Sequence, residues 1–279
     1  MKTAVTLCRV PEAAAGPFVF HDPLPEGFAK AAALGYDAVE LFLEGPDAVR
    51  IEEIEALRQR HGLAIAAVGT GAGMVKHGLS LTDAHPEKRR GALDFLLRMI
   101  DFGGRLGAPA ILGSMQGRST PEVPRDRALD LLAGALHEAG NTAAKHGVPF
   151  IYEPLNRYET NLFNRLVPAA EFLDERGLEN VVLLADLFHM NIEEPDLAAA
   201  LRAAAPRVGH VHWADSNRQA MGFGHTDPAP IRAVLREISY SGYLSAEIFP
   251  LPDADTAASQ TLNSLITDHP PSQSLRRAG

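Results

Sequence analysis

A chain of 279 residues with 46% hydrophobic and 22% charged side chains has the make-up of an ordinary globular protein, which argues against a disordered or fibrous one. Its formal net charge of −9 argues against affinity for nucleic acid, because neutralising phosphates takes a surplus of Lys and Arg. The lone Cys8 rules out internal disulfides and cysteine-built zinc clusters, so any metal must be held by His and carboxylates.

Along the chain, short apolar segments rich in β-branched residues alternate with longer amphipathic ones. Strands are expected at Thr3 to Cys8, Asp37 to Leu43, Ala64 to Gly69, Ala108 to Gly113, Val148 to Glu153, Val181 to Asp186, Val208 to Trp213 and Tyr243 to Ile248. Between them lie patterns such as EKRRGALDFLLRMIDFGGRLG and DRALDLLAGALHEAGNTAAKHG, whose apolar residues recur three or four apart, as in helices packed on a sheet. Eight βα repeats predict a single α/β domain, a (β/α)8 TIM barrel of the usual size of about 250 residues. It is expected over residues 1–267, with a polar, Pro-bearing tail at 268–279. No apolar run approaches the roughly 20 residues of a membrane span, and MKTAVTLCRVPEAAAG lacks the apolar core of a leader, so a cytoplasmic protein with no membrane partner is expected. Two connections exceed what a turn needs, PEAAAGPFVFHDPLPEG after the first strand and GTGAGMVKHGLSLTDAHPEK after the third. Loops of this length are expected over an active site.

Four polar residues end four successive strands: Glu153 in IYEP, Asp186 in LLADLFH, His212 in GHVHWAD and Glu247 in SAEIF. In such a barrel the C-terminal strand ends open onto one face, so these side chains converge although distant in sequence. Any one alone reads equally well as a strand-end residue bonded to backbone; four together read as a metal centre. Three carboxylates and an imidazole suit Mn²⁺, Mg²⁺ or Co²⁺. His210 shares the strand face of His212 two residues deeper, where a hydrogen-bonded core histidine is expected.

The segments EPLNRYETNLFN (Glu153 to Asn164), ADLFHMNIEE (Ala185 to Glu194), HVHWADSNRQAMGFGHTD (His210 to Asp227) and GYLSAEIFPLP (Gly242 to Pro252) resemble the sugar isomerase and epimerase family with a xylose isomerase-like barrel, in its D-tagatose 3-epimerase type. GTGAGMVKHGLSLT (Gly69 to Thr82) is most similar to the branch that includes 5-keto-L-gluconate epimerase. The resemblance implies that Glu153, Asp186, His212 and Glu247 bind one divalent ion, foremost Mn²⁺, and that Glu153 and Glu247 are also the catalytic proton-transfer pair. It implies that Glu159, His189 and Arg218 hold the oxygens around a substrate carbonyl, and that the chain forms a homo-oligomer, dimer or tetramer. Trp213, Ala214 and Asp215 depart from the glutamate-containing stretch of many neutral-ketose epimerases, which points away from a free hexulose, while the resemblance in the GTGAG and DSNR segments, together with Arg118 and Arg165, points to a keto-sugar acid.

A proton next to a ketone is too weakly acidic for an unaided carboxylate, and a chelated metal stabilises the enediolate that its loss creates. The expected function is therefore inversion of the carbon beside the ketone of a keto-sugar or keto-sugar acid. Rival readings of the same site are an aldose-ketose isomerase and an enediolate-based lyase or dehydratase; a three-zinc DNA-repair endonuclease and a silent binding subunit are rivals of other classes.

Other residues carry weaker expectations. Gln116, Arg118 and Arg165 are candidates for gripping a substrate carboxylate or phosphate, Arg through its planar fork. Phe42, Phe188, Trp213 and Phe249 are candidates for the pocket wall, and His225 and Asp227 for shaping a loop. GTGAG resembles a dinucleotide loop only superficially, since Met74 replaces the last Gly, and it reads as a flexible loop.

Overall fold

Eight parallel strands close on one another in sequence order, β1 pairing with both β2 and β8. They are β1 Lys2–Cys8, β2 Ala38–Phe42, β3 Ala64–Gly69, β4 Ala110–Leu112, β5 Phe150–Tyr152, β6 Val181–Asp186, β7 Val208–His212 and β8 Tyr243–Ala246. The computed structural model describes residues 1–266, so the tail expected at 268–279 lies outside the described residues. Helices follow the strands, the longest being Pro86–Arg105 and Arg125–Lys145.

β4 and β5 start later than their apolar segments suggest, and proline explains both starts. Pro109 and Pro149 have no N–H to donate to the ladder, so each strand starts at the following residue, although Pro109 O still accepts from Val68 N.

Period two then sorts each strand into two faces. Val5, Leu7, Val39, Leu41, Leu183 and Val211 belong to the main core shared with the helices. The alternate residues Ala67, Ile111, Ile151 and Leu184 form a separate cluster made by strands alone, the filling of the barrel. Counting two residues on from Ile151, Leu184 and His210 reaches Glu153, Asp186 and His212, which are therefore the inward positions at, or for Glu153 just past, the C-terminal ends of their strands. The register between β6 and β7 shifts at Leu183/Leu184, skipping Gly209 and setting Asp186 beside His212. Only glycine fits there, since a Cβ would lie 2.3 Å from a methyl carbon of Val182.

Candidate active site

Glu153 follows β5, Asp186 ends β6, His212 ends β7 and Glu247 follows β8. One donor atom from each lies within 4.8 Å of the others. His212 Nδ1 stands 3.4 Å from Asp186 Oδ2, 3.5 Å from Glu247 Oε2 and 3.8 Å from Glu153 Oε1. Each residue is oriented from behind. Asp186 Oδ1 caps the helix Leu187–Glu193 by accepting from Phe188 N at 2.8 Å and His189 N at 3.4 Å, which leaves Oδ2 for the cluster. Gly113 clears space for Glu153, whose Oε2 would lie 2.6 Å from a Cβ at that position.

The far ring nitrogen of His212 is held by a residue that the sequence reading missed. Glu40, buried in β2, places Oε1 3.1 Å from His212 Nε2 and Oε2 2.8 Å from His210 Nε2. One carboxylate thus fixes two imidazoles, and directs His212 Nδ1 toward the cluster in the manner of a carboxylate behind a metal-binding histidine. His210 is the hydrogen-bonded core histidine expected of it.

Burial, then the neighbouring Glu247, pushes the Glu153 carboxyl well above the usual carboxylate range. Burial also raises Glu247, but His212 and Arg218 outweigh it and hold Glu247 low. Burial opposes charge on His212, yet Glu40 and Glu247 raise it well above an ordinary histidine. Three carboxylates crowded out of water are costly unless a cation joins them.

Glu153 Oε1, His189 Nε2 and Arg218 Nε are buried without a hydrogen-bond partner among the described residues. The residues present fit a divalent ion: three carboxylates and one imidazole share one point, and a buried carboxylate oxygen there lacks a partner. Oxygen-rich sets of this kind suit hard cations.

His189, Arg218 and Glu159 are brought to the same place. Asn156 presents its backbone N–H (3.3 Å) and Nδ2 (2.7 Å) to His189 Nδ1. That leaves the ring proton on Nε2, 3.7 Å from Asp186 Oδ2 and 3.8 Å from Glu153 Oε1. Burial lowers the affinity of His189 for a second proton. Arg218 donates from Nη2 to Glu247 Oε2 at 2.6 Å, lies 3.8 Å from Glu159 Oε1 and rests 4.9 Å above the Phe188 ring.

The backbone of Arg218 has φ 58°, a left-handed conformation that a non-glycine residue holds only when its surroundings insist. Asp215 supplies that constraint. Fully buried, it accepts from the backbone N–H groups of Ser216, Thr226, Gly222 and Gly224. Its carbonyl accepts from Arg218 N, while Arg218 O accepts from Phe249 N.

Other expected contacts fall elsewhere. Gln116 is buried but faces away from the substrate space: Nε2 donates to the carbonyls of Gly113 and Glu153, and Oε1 accepts from the Tyr152 hydroxyl. With both ends of its amide engaged, it braces the Glu153 backbone. Arg118 is exposed and lines a neighbouring cavity with Thr82, Asp83, Lys88, Glu122 and Glu159. Arg165 is exposed where the helix Leu166–Glu175 begins. Phe42 does line the pocket, whereas Trp213 is buried and donates to Ser264 Oγ. Phe188 supports Arg218 from below. His225 pairs with Ser216 Oγ and Asp227 caps the helix Pro228–Glu237, both shaping a loop as expected. GTGAG leads into a helical turn, Ala72–Val75.

A cavity of about 330 Å³ opens above the cluster, within the size range of small-molecule sites. Glu153, Glu159, His189, His212, Arg218 and Glu247 form its polar floor, and both long loops reach its wall through residues such as Phe18 and Val75.

A family model described as a xylose isomerase-like TIM barrel matches residues 28–267. The chain belongs to that family. Among its relatives, an L-ribulose 3-epimerase from Methylomonas sp. (strain DH-1) is 31% identical over 241 residues, 85% of this chain and 82% of that one. A 3-dehydro-D-guloside 4-epimerase from Escherichia coli (strain K12) is 31% identical across 82% of this chain and 88% of its own. Among solved structures, the apo form of 3-keto-D-glucoside 4-epimerase from E. coli matches with a TM-score of 0.79 at 25% identity, covering 95% of this chain and 99% of that one. All three bear the names of epimerases.

Proposed function

We propose that this member of the xylose isomerase-like family is a divalent-metal-dependent epimerase that inverts the carbon beside the ketone of a keto-sugar. One observation carries the reading: two carboxylates, Glu153 and Glu247, reach a single four-donor cluster from strands β5 and β8, with Asp186 and His212 between them. A binding protein has no need of such a pair.

Glu153, Asp186, His212 and Glu247 would hold the ion, with Mn²⁺ foremost and Mg²⁺ or Co²⁺ as alternatives. When bound, the ion supplies Lewis-acid stabilisation of the negative charge that develops as the proton leaves. The carboxylate on one face takes the proton from the carbon beside the ketone, and the electron pair moves toward the carbonyl oxygen. The carboxyl group on the opposite face then returns a proton to that carbon, which inverts it. Exchange with water resets the pair. His189 Nε2–H and the spare N–H groups of Arg218 point donors at the ketone and its neighbouring hydroxyl, while Glu159 accepts from a hydroxyl. Arg218 also keeps Glu247 ionised through their 2.6 Å contact.

The expectation of a keto-sugar acid rests on the resemblance in the GTGAG and DSNR segments together with Arg118 and Arg165, with Gln116 as a further candidate for gripping the carboxylate. Gln116 is spent on the protein itself, and neither arginine lines the cavity above the cluster, so these three side chains lend the acid no support.

The family resemblance supports a homo-oligomer, which light scattering would read, and the acidic charge supports no nucleic-acid partner. No helix among the described residues is long and apolar enough to cross a membrane, and a cytoplasmic location accompanies this reading. The test is metal analysis of the purified protein with an NMR screen of keto-sugars. About one ion per chain, and turnover of a keto-sugar that a chelator abolishes, are expected. Full turnover after complete metal removal would overturn the proposal.

A further inference from the structure

Past the end of β4 the apolar run gives way to Gly113 and then Ser114, which opens a short 3-10 turn, Ser114–Gln116. The turn is firmly held. Gln116 N donates to Gly113 O and Gly117 N to Ser114 O, while the buried Gln116 amide donates to the carbonyls of Gly113 and Glu153. Ser114 is thereby fixed relative to Glu153. Three neutral polar side chains line the cavity above the cluster: Thr6, Thr70 and Ser114. Both threonines are buried and committed. Thr6 Oγ1 donates to Ala246 O and accepts from Val19 N, and Thr70 Oγ1 donates to Ile111 O. Ser114 is half-buried, and its hydroxyl bonds to no other group among the described residues.

A serine at a turn ordinarily bonds back to nearby backbone, and this one does not. Space beside it is also kept open. A Cβ at Gly71, in the GTGAG segment, would lie 3.4 Å from Ser114 Oγ and 3.0 Å from two ring carbons of Phe42. Ser114 and Glu159 both line the adjoining cavity as well, so they belong to the wall that the two cavities share.

From this we infer that Ser114 is a specificity-determining residue, whose hydroxyl bonds one sugar hydroxyl beyond the inverted carbon and so selects the configuration there. The inference rests on the epimerase reading and deepens it. On that reading the cluster, His189, Arg218 and Glu159 take up the ketone and its neighbouring hydroxyl, which fixes the reacting end of the sugar. The hydroxyls farther along must find partners on the wall or lose their bonds to water without replacement. A serine hydroxyl both donates and accepts, so it can meet a sugar hydroxyl in either sense. Held in one place, it reaches that hydroxyl in one configuration; in the other, both groups are left unpaired.

The experiment gives the metal-loaded protein three keto-hexoses: D-fructose, D-tagatose, which differs from it in configuration at the fourth carbon alone, and L-sorbose, which differs at the fifth alone. NMR in heavy water follows exchange of the proton beside the ketone and yields kcat and KM for each. Wild type should favour one of the three. Ser114→Ala should cost that sugar about 3- to 10-fold in kcat/KM, the return of one hydrogen bond exchanged with water, and change the disfavoured sugars by less than about twofold. The loss should fall mainly on KM, because the serine touches no reacting atom. Ser114→Cys, which keeps the size but bonds weakly, should level the preference in the same way and serves should the alanine prevent folding. An equal loss with all three sugars, no loss with any, or a wild type that treats them alike would overturn the selecting role while leaving epimerisation intact. Absence of exchange with every sugar in the wild type would instead overturn the epimerase reading beneath it.

Discussion

His212 is gripped at both ring nitrogens, by Glu40 on one side and by the cluster on the other. Replacing Glu40 with Gln puts an amide where the imidazole N–H needs a carboxylate, so metal affinity should fall about 10- to 100-fold, the usual cost of losing such support. Calorimetric titration with Mn²⁺ checks this, and unchanged affinity would show that Glu40 serves only the core. Asp186→Ala and His212→Ala each delete a direct donor and should leave the purified protein with substoichiometric metal. Normal metal content in both would mean that the site lies elsewhere. Strand-end position made these donors legible in the sequence. Glu40 carried a related signal, an acid within the apolar run AVELF, but it sits mid-strand, and its partner is brought to it only by closure of the barrel. Gln116 was misjudged because residue type says nothing about direction: its neighbours Tyr152 and Gly113 are contacts of the folded chain.

Among the elements, the loop from Asp215 to Thr226 is organised by one carboxylate and delivers Arg218 in a left-handed conformation. Asp215→Asn replaces one acceptor oxygen with a donor facing backbone N–H groups, at a cost on the order of 2 kcal/mol in stability. The pH dependence has a definite sign. Burial raises the Asp215 carboxyl, but its backbone N–H bonds outweigh this and hold it below the ordinary aspartate value. Its stabilisation is therefore complete above the unfolded value near pH 4 and is lost as pH falls through the lower folded value. Denaturant titrations should show a wild-type advantage over Asp215→Asn that is steady near neutrality and shrinks in acid. An advantage that grew in acid would reverse the assignment. Strand positions were legible from apolar runs, and the late start of β4 and β5 was equally available in Pro109 and Pro149. GTGAG was harder to read, because a four-residue helical turn leaves too few positions for periodicity to register.

For the whole molecule, the cluster places three carboxylates at one point of a chain whose charge is already −9. A bound cation that the unfolded chain does not hold should stabilise the fold, by about 2.7 kcal/mol at a hundredfold excess over Kd. Removing it with a chelator should lower Tm by about 5 °C or more for a chain of this size, and an unchanged Tm would count against a resident ion. The barrel was legible because eight βα repeats leave little choice of topology, and convergence of the strand ends follows from that closure. Substrate choice was not legible, because it depends on which loop residues face inward. The central claim is proton transfer by two opposed carboxylates, and the most direct measurement is deuterium incorporation at the inverted carbon in heavy water, using metal-loaded wild type, Glu153→Gln and Glu247→Gln. Wild-type product should carry solvent deuterium at that carbon from the first turnovers, and each amide variant should lose about a hundredfold or more in rate while retaining metal. Product that keeps its original proton, or a metal-loaded variant that epimerises at the wild-type rate, would contradict the account.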